Sequence, residues 1–247
     1  MPRWQDRSRE AFPPLFSPVR LREREDAFAR ACAEAGETGA GTIYHVGRFD
    51  LIECAVVFEP DEPLAGARRV VLAGMNALAE TIAADCPPER TIRFAYPAGI
   101  VFDEGLVGGA RLAWPEGTED TDVPEWLVFA LMVRTASLQD LGFVADPALT
   151  TLEESGFRDI DPEGFVARFC RHLMVEIDEW QAEGFRGVAN RYLARLPRAE
   201  TDGVRGIDGN GDLLVHPKDG GGVLRTALVP PLLAASWYDP ASGGPKS

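Results

Sequence analysis

Apolar residues along this chain recur at two periods, and the switches between them mark out its elements. From Arg22 to Ala35, the residues Ala27, Phe28, Ala31, Cys32 and Ala35 fall at helical spacing between charges, with Gly36 in a C-terminal cap position. That predicts a first amphipathic helix. After the Gly39-Ala40-Gly41 turn, Thr42 to Val46 and Asp50 to Phe58 are rich in β-branched and aromatic residues, and Gly47-Arg48-Phe49 joins them as a hairpin. Prolines punctuate Glu59 to Pro63, and Ala67, Val70, Val71, Gly74, Leu78 and Ile82 then stripe one face of a long helix predicted over 64–84.

Strand-like runs follow at Thr91 to Tyr96, Ile100 to Phe102, Val107 to Trp114 and Glu125 to Ala136, with turn residues Asp103-Glu104-Gly105 between the second and third. Strands in such succession imply a largely antiparallel sheet. Asp161 fits an N-cap and Pro162 a first helical position, and Val166, Phe169, Leu173, Ile177 and Trp180 repeat every three or four residues after them. A further helix is predicted beyond Gly184 through Phe185, Val188, Tyr192 and Leu196. Pro197 to Gly203 is polar and aperiodic, which places a boundary between a domain of residues 1–197 and a small β domain of residues 198–247. In the latter, Val204 to Ile207 and Asp212 to Val215 flank the hairpin signal Gly209-Asn210-Gly211. Short strands are expected at Val223 to Ala227 and Leu232 to Trp237, and a frayed tail from Pro240 to Ser247.

At 247 residues with 45% hydrophobic content, the chain can bury a full-sized core. Its formal net charge of −14 repels phosphate backbones and anionic membrane surfaces, so neither nucleic acid nor membrane is an expected partner. No run approaches the roughly 18 to 20 apolar residues of a membrane-spanning helix, and Met1 to Arg7 lack the apolar stretch of a signal peptide; a cytoplasmic location is expected. Cys32, Cys54, Cys86 and Cys170 are scattered, as suits reduced thiols packed as small hydrophobes. His45, His172 and His216 lack ligand spacing, and Asp208-Gly209-Asn210-Gly211-Asp212 is better explained by a hairpin than by a calcium loop, so no metal is expected. Lys218 is the first of only two lysines, which leaves arginine as the only strong side-chain cation over residues 1 to 217.

The chemistry points to one region. Tyr96-Pro97-Ala98-Gly99-Ile100 ends one predicted strand and starts the next, and Val107-Gly108-Gly109-Ala110-Arg111-Leu112 follows after a turn. Paired glycines inside a strand let another backbone or a ligand approach closely. These segments resemble the biotin protein ligase and lipoate protein ligase superfamily, whose Trp-Pro-Asn-Asp is followed on the neighbouring strand by Gly-Arg-Lys-x-x-Gly. Laid on without gaps, Tyr96, Pro97, Ala98 and Gly99 meet Trp-Pro-Asn-Asp, Gly108-Gly109 meet the small pair after the lysine, and Leu106 takes the lysine's place. The resemblance extends over the earlier helix, hairpin, long helix and sheet, and onward to Thr151-Leu152, to Ile177 through Tyr192, and to the stretch from Val204 to Leu214. It implies an α+β fold, a mixed and mostly antiparallel sheet with helices, ending in a small SH3-like β domain.

The family's reaction joins a carboxylic acid to AMP and passes the acyl group to a carrier-domain lysine. The resemblance thus implies ATP, biotin or lipoate, and a carrier-domain protein. Adenylation needs fixed cations around the departing pyrophosphate, and losing one such group typically costs about 3 to 4 kcal/mol. In the family they come from the motif lysine and a basic Gly-Arg-Gly-Arg loop. Here Leu106 is uncharged, Ala98 and Gly99 lack the amide and carboxylate, and Gly47-Arg48-Phe49 replaces the loop. The expectation is a divergent ligase-like protein with degenerate adenylating machinery and a retained acyl pocket of the biotin, lipoate or octanoate type. That pocket is expected between the Tyr96 to Ile100 joint and the Gly108-Gly109 strand, bound by Arg93, Tyr96, Pro97, Gly108, Gly109, Ala110 and Arg111. Two alternatives stay open: an active ligase or acyltransferase with arginine in place of lysine, and a non-catalytic interaction protein whose former cleft packs against a partner or, as a homo-oligomer, against its own copy.

Overall fold

The computed structural model describes residues 11–87, 90–136, 148–197 and 203–246. Seven strands form the main sheet: β1 (Ser17–Leu21), β2 (Thr42–Gly47), β3 (Leu51–Phe58), β4 (Ile92–Ala95), β5 (Gly99–Phe102), β6 (Gly105–Ala113) and β7 (Leu127–Arg134). Their order across the sheet is β1-β2-β3-β7-β6-β5-β4. Only β1 with β2 is parallel, so the mixed, mostly antiparallel α+β architecture holds. Strand β1 was not expected, because Ser17-Pro18-Val19-Arg20-Leu21 buries only Leu21 and so shows no alternation. A proline-bearing, single-contact strand belongs at a sheet edge, where β1 lies.

One face of the sheet carries the main core under helices α3 (Val70–Ala83), α4 (Pro162–Glu183) and α5 (Arg186–Arg195). On α3, a Cβ at Gly74 would stand 2.3 Å from the Phe129 ring, so the glycine lets the helix lie directly on β7. Phe169 of α4 stacks on Phe129 with centroids 5.9 Å apart, and Tyr192 of α5 stacks on Phe94 at 4.9 Å. The three helices are tied by one buried polar network. Asn76 Nδ2 donates to Glu176 at 3.2 Å and to the Val188 carbonyl at 3.0 Å, and Arg191 grips Glu176 through two bonds of 2.9 Å.

Several boundaries differ from expectation for identifiable reasons. The first helix, α1 (Ala27–Thr38), starts five residues later than Arg22, since Asp26 is its N-cap and accepts from Ala29 N at 2.9 Å. It also runs through Gly36 and ends at Gly39, whose φ of +77° suits a terminus. The long helix over 64–84 is broken into α2 (Leu64–Ala67) and α3. At the break, Arg68 turns onto Trp114, 5.3 Å from its centroid, and Arg69 onto Phe185, at 4.7 Å. The backbone tightens there, with Arg69 N donating to Gly66 O at 3.0 Å and Leu72 N to Arg69 O at 2.9 Å, i to i−3 bonds in place of i to i−4.

The C-terminal part holds a small antiparallel sheet of β8 (Gly203–Ile207), β9 (Leu213–Pro217) and β10 (Leu224–Thr226). The domain boundary proposed around 197–203 falls mostly on residues 198–202, outside the described ones. The strand expected at Leu232 to Trp237 is not one: helix α6 (Val229–Leu233) takes in its first two residues and turns follow. Pro230 and Pro231, just before that stretch, fit a first helical turn and start the helix that runs into it. The tail expected to fray is pinned. β11 (Tyr238–Asp239) pairs with β12 (Gly244–Pro245), Lys246 N donates to Trp237 O at 2.9 Å, and Arg134 donates to the Pro245 carbonyl at 2.5 Å.

Candidate functional site

The residues predicted to form one pocket divide between different surroundings. Tyr96 points toward the small C-terminal sheet, its hydroxyl donating to the Gly211 carbonyl at 2.9 Å, and Pro97 O accepts from the Tyr192 hydroxyl at 2.8 Å. Burial raises the Tyr96 phenol above its ordinary range, so it stays a neutral donor. Ala110 belongs to the core beneath the helices, its N–H bound to Ala98 O at 2.7 Å. Arg93 is exposed on the edge strand β4.

The glycine pair serves the protein's own packing. Gly108 has φ +154°, and a Cβ there would stand 2.0 Å from the Met132 carbonyl oxygen. At Gly109 a Cβ would meet Ala98 O at 2.3 Å and the Trp237 indole at 2.5 Å. At Gly109 the close approach is made by Ala98 O, from the Tyr96 to Ile100 joint, and by Trp237. Leu106, in the lysine's position, packs beside Trp237 too.

Arg111 is different. It shares the second face of the sheet with Gly109, two residues back along β6, and with Glu53, Ala55, Ala130 and Met132 on β3 and β7. Helix α1 covers one part of this face and the Trp237-Tyr238 segment covers another. Between the two covers, the Arg111 guanidinium lies 4.1 Å from the Phe28 ring centroid and 4.3 Å from that of Tyr238. No carboxylate or carbonyl pairs with it among the described residues. Aromatic rings at this distance hold a guanidinium by cation–π attraction without using up its N–H donors, which stay available to an anion.

Glu53 is the acid of this layer. It is 3% exposed, and Oε1 accepts from Ala27 N, the first helical amide of α1, at 2.6 Å. Burial pushes its carboxyl from an ordinary 4.5 up to about 7, against the pull of that amide and of Arg48 and Arg111. Cys32, on the same helix, is pushed up to about 11 by burial and is held as a thiol despite Arg111 nearby. Sequence reasoning missed Glu53, Phe28, Trp237 and Tyr238. The signal for Glu53 was available: it is the one charge inside the otherwise apolar Leu51–Phe58 strand.

Beside the β2–β3 hairpin lies an open depression of about 460 Å³, lined by Glu23, Arg24, Arg48, Phe49 and Asp50. One of its two arginines is already satisfied, because Arg48 binds Asp50 through bonds of 3.1 and 2.6 Å. The pairing raises the arginine's pKa and, although burial opposes it, holds Asp50 below the ordinary carboxylate value. In the C-terminal hairpin, the Asp208 oxygens are taken up by Asn210 N, Asp212 N and Arg225. Among the described residues no helix is long and apolar enough to cross a membrane.

Residues 12–194 match the sequence model of the biotin/lipoate A/B protein ligase family. Among solved structures, a biotin protein ligase-like protein of unknown function from Silicibacter sp. TM1040 superposes with a TM-score of 0.75 at 21% identity, over 88% of this chain and 96% of that one. Biotin protein ligase from Aquifex aeolicus gives 0.65 at 15% identity, over 87% and 96% of the two chains. Biotin protein ligase from Leishmania major in complex with biotinyl-5-AMP gives 0.52 at 13%, over 87% and 99%. At such identities the structural likeness is one of fold. No curated protein matches the sequence. With the family match spanning most of its length, the chain belongs to the biotin/lipoate A/B protein ligase family.

Proposed function

We propose that the protein binds a small carboxylate-bearing molecule at Arg111 and does not activate it with ATP. The observation that carries this reading is the Arg111 guanidinium beside Phe28 and Tyr238, without a carboxylate or carbonyl partner among the described residues. Its fork matches a carboxylate bidentately, and the two rings nearby hold the guanidinium in place for it. The residues present do not fit adenylation. Leu106 offers no charge and packs beside Trp237, while Arg48, in the place of the family's basic loop, is already paired with Asp50. A triphosphate would find neither Leu106 nor Arg48 available as a cation; Arg24 is the other arginine lining the hairpin depression.

Thermal unfolding with a panel from butyrate to octanoate, lipoate and biotin tests this, with and without ATP. A ligand at 100 times its Kd adds about 2.7 kcal/mol of stability. A carboxylate is expected to raise Tm in the wild type but not in Arg111→Ala, with no acid-dependent exchange of pyrophosphate into ATP. Such exchange would instead establish an active ligase using arginine. A second reading, a non-catalytic interaction protein, is favoured by the Trp237 ring filling the notch at Gly109. It gains if no carboxylate shifts Tm at all.

A further inference from the structure

Resting on that carboxylate site, we infer that Trp237 sets the length of the acid it accepts, admitting short chains and excluding long ones. Gly109 and Arg111 lie on the same face of β6, about 7 Å apart along the strand. A ligand whose carboxylate meets Arg111 and whose chain follows the strand over Gly109 runs into the indole, since Trp237 stands where even a Cβ on Gly109 could not. The ring is 2% exposed and is backed by Leu51 and Met132, with Leu106, Ala235 and Tyr238 around it. It cannot swing aside freely, because Lys246 N holds its carbonyl and the adjoining β11–β12 pair is fastened to β7 through Arg134. Tyr238, the next residue, forms one wall around Arg111, so a single short segment supplies both the wall and the stop.

The indole Nε1 has no hydrogen-bond partner among the described residues, so bulk rather than bonding is the property that matters. That separates the variants. Trp237→Phe keeps most of the bulk and loses only an unused donor, whereas Trp237→Ala and Trp237→Leu open the notch to different depths.

Titrations with butyrate and octanoate, followed by ligand-observed NMR, test the inference. Wild type and Trp237→Phe are expected to bind butyrate at least ten-fold more tightly than octanoate. Trp237→Ala is expected to bind octanoate at least as tightly as butyrate. If Trp237→Ala does not fold, Trp237→Leu carries the same expectation with a smaller gain. Equal wild-type affinity for both acids, lost in Arg111→Ala, would overturn the length gate while leaving the carboxylate site standing; so would an unaltered preference in the opened variants. Failure of the wild type to bind either acid would bring down the carboxylate site itself and the gate with it.

Discussion

Gly108→Ala is expected to leave little soluble, cooperatively melting protein. The position combines two independent penalties. Its φ of +154° lies where L-residues are strained, and the new Cβ would stand 2.0 Å from a carbonyl oxygen of the adjacent central strand β7. Backbone in mid-sheet cannot yield as a flexible side chain can, so the cost is about 4 kcal/mol or more, a large share of the 5 to 15 kcal/mol that holds a typical domain. Gly117→Ala makes the control. Its φ of +82° is also positive, but nothing lies within 4 Å of the new Cβ, so only the local strain of about 1 to 2 kcal/mol applies. Urea unfolding of both variants checks the contrast; similar losses in the two would show that the Gly108 carbonyl contact is not limiting.

Glu53→Gln is expected to stabilise the protein by about 3 kcal/mol at pH 8 and to change it little at pH 4. Glutamine keeps an oxygen for Ala27 N but removes the buried charge. The carboxyl rises from 4.5 when unfolded to about 7 when folded, a differential of about 3 kcal/mol between protonation states. Because the folded value is the higher one, the native chain binds more protons between these limits. The wild-type contribution is thus fully present below pH 4.5 and is lost as pH rises through 7. The variant should lack that loss. Denaturation at both pH values measures it, and an equal effect at pH 4 and pH 8 would contradict a charge-based origin. A carboxylate bound at Arg111 would favour neutral Glu53, so affinity should fall as pH rises through 7.

Local chemistry was legible wherever a residue and its partner lie close in sequence. Asp161 capping α4 with Pro162 at its start, the β2–β3 hairpin and the Gly209-Asn210-Gly211 turn all follow from near neighbours. The break between α2 and α3 was hidden because the apolar stripe continues across it, while the tightened turn of i to i−3 bonds around Arg69 leaves no mark in that stripe. The same limit applies at the site. Paired glycines in a strand announce a close approach but not what approaches, and here it is Met132 O and Trp237, the latter from the far end of the chain. Arg111 could be nominated by position, whereas its sandwich between Phe28 and Tyr238 joins three elements distant in sequence.

Calorimetric titration of wild type, Arg111→Lys and Arg111→Ala with butyrate, repeated in the presence of ATP and magnesium, separates binding from activation. Saturable binding is expected in the wild type, weakened in Arg111→Lys by loss of the planar fork and abolished in Arg111→Ala, with ATP changing nothing and no pyrophosphate released. Binding that survives Arg111→Ala, or pyrophosphate release that depends on the acid, would contradict a carboxylate site that works without adenylation.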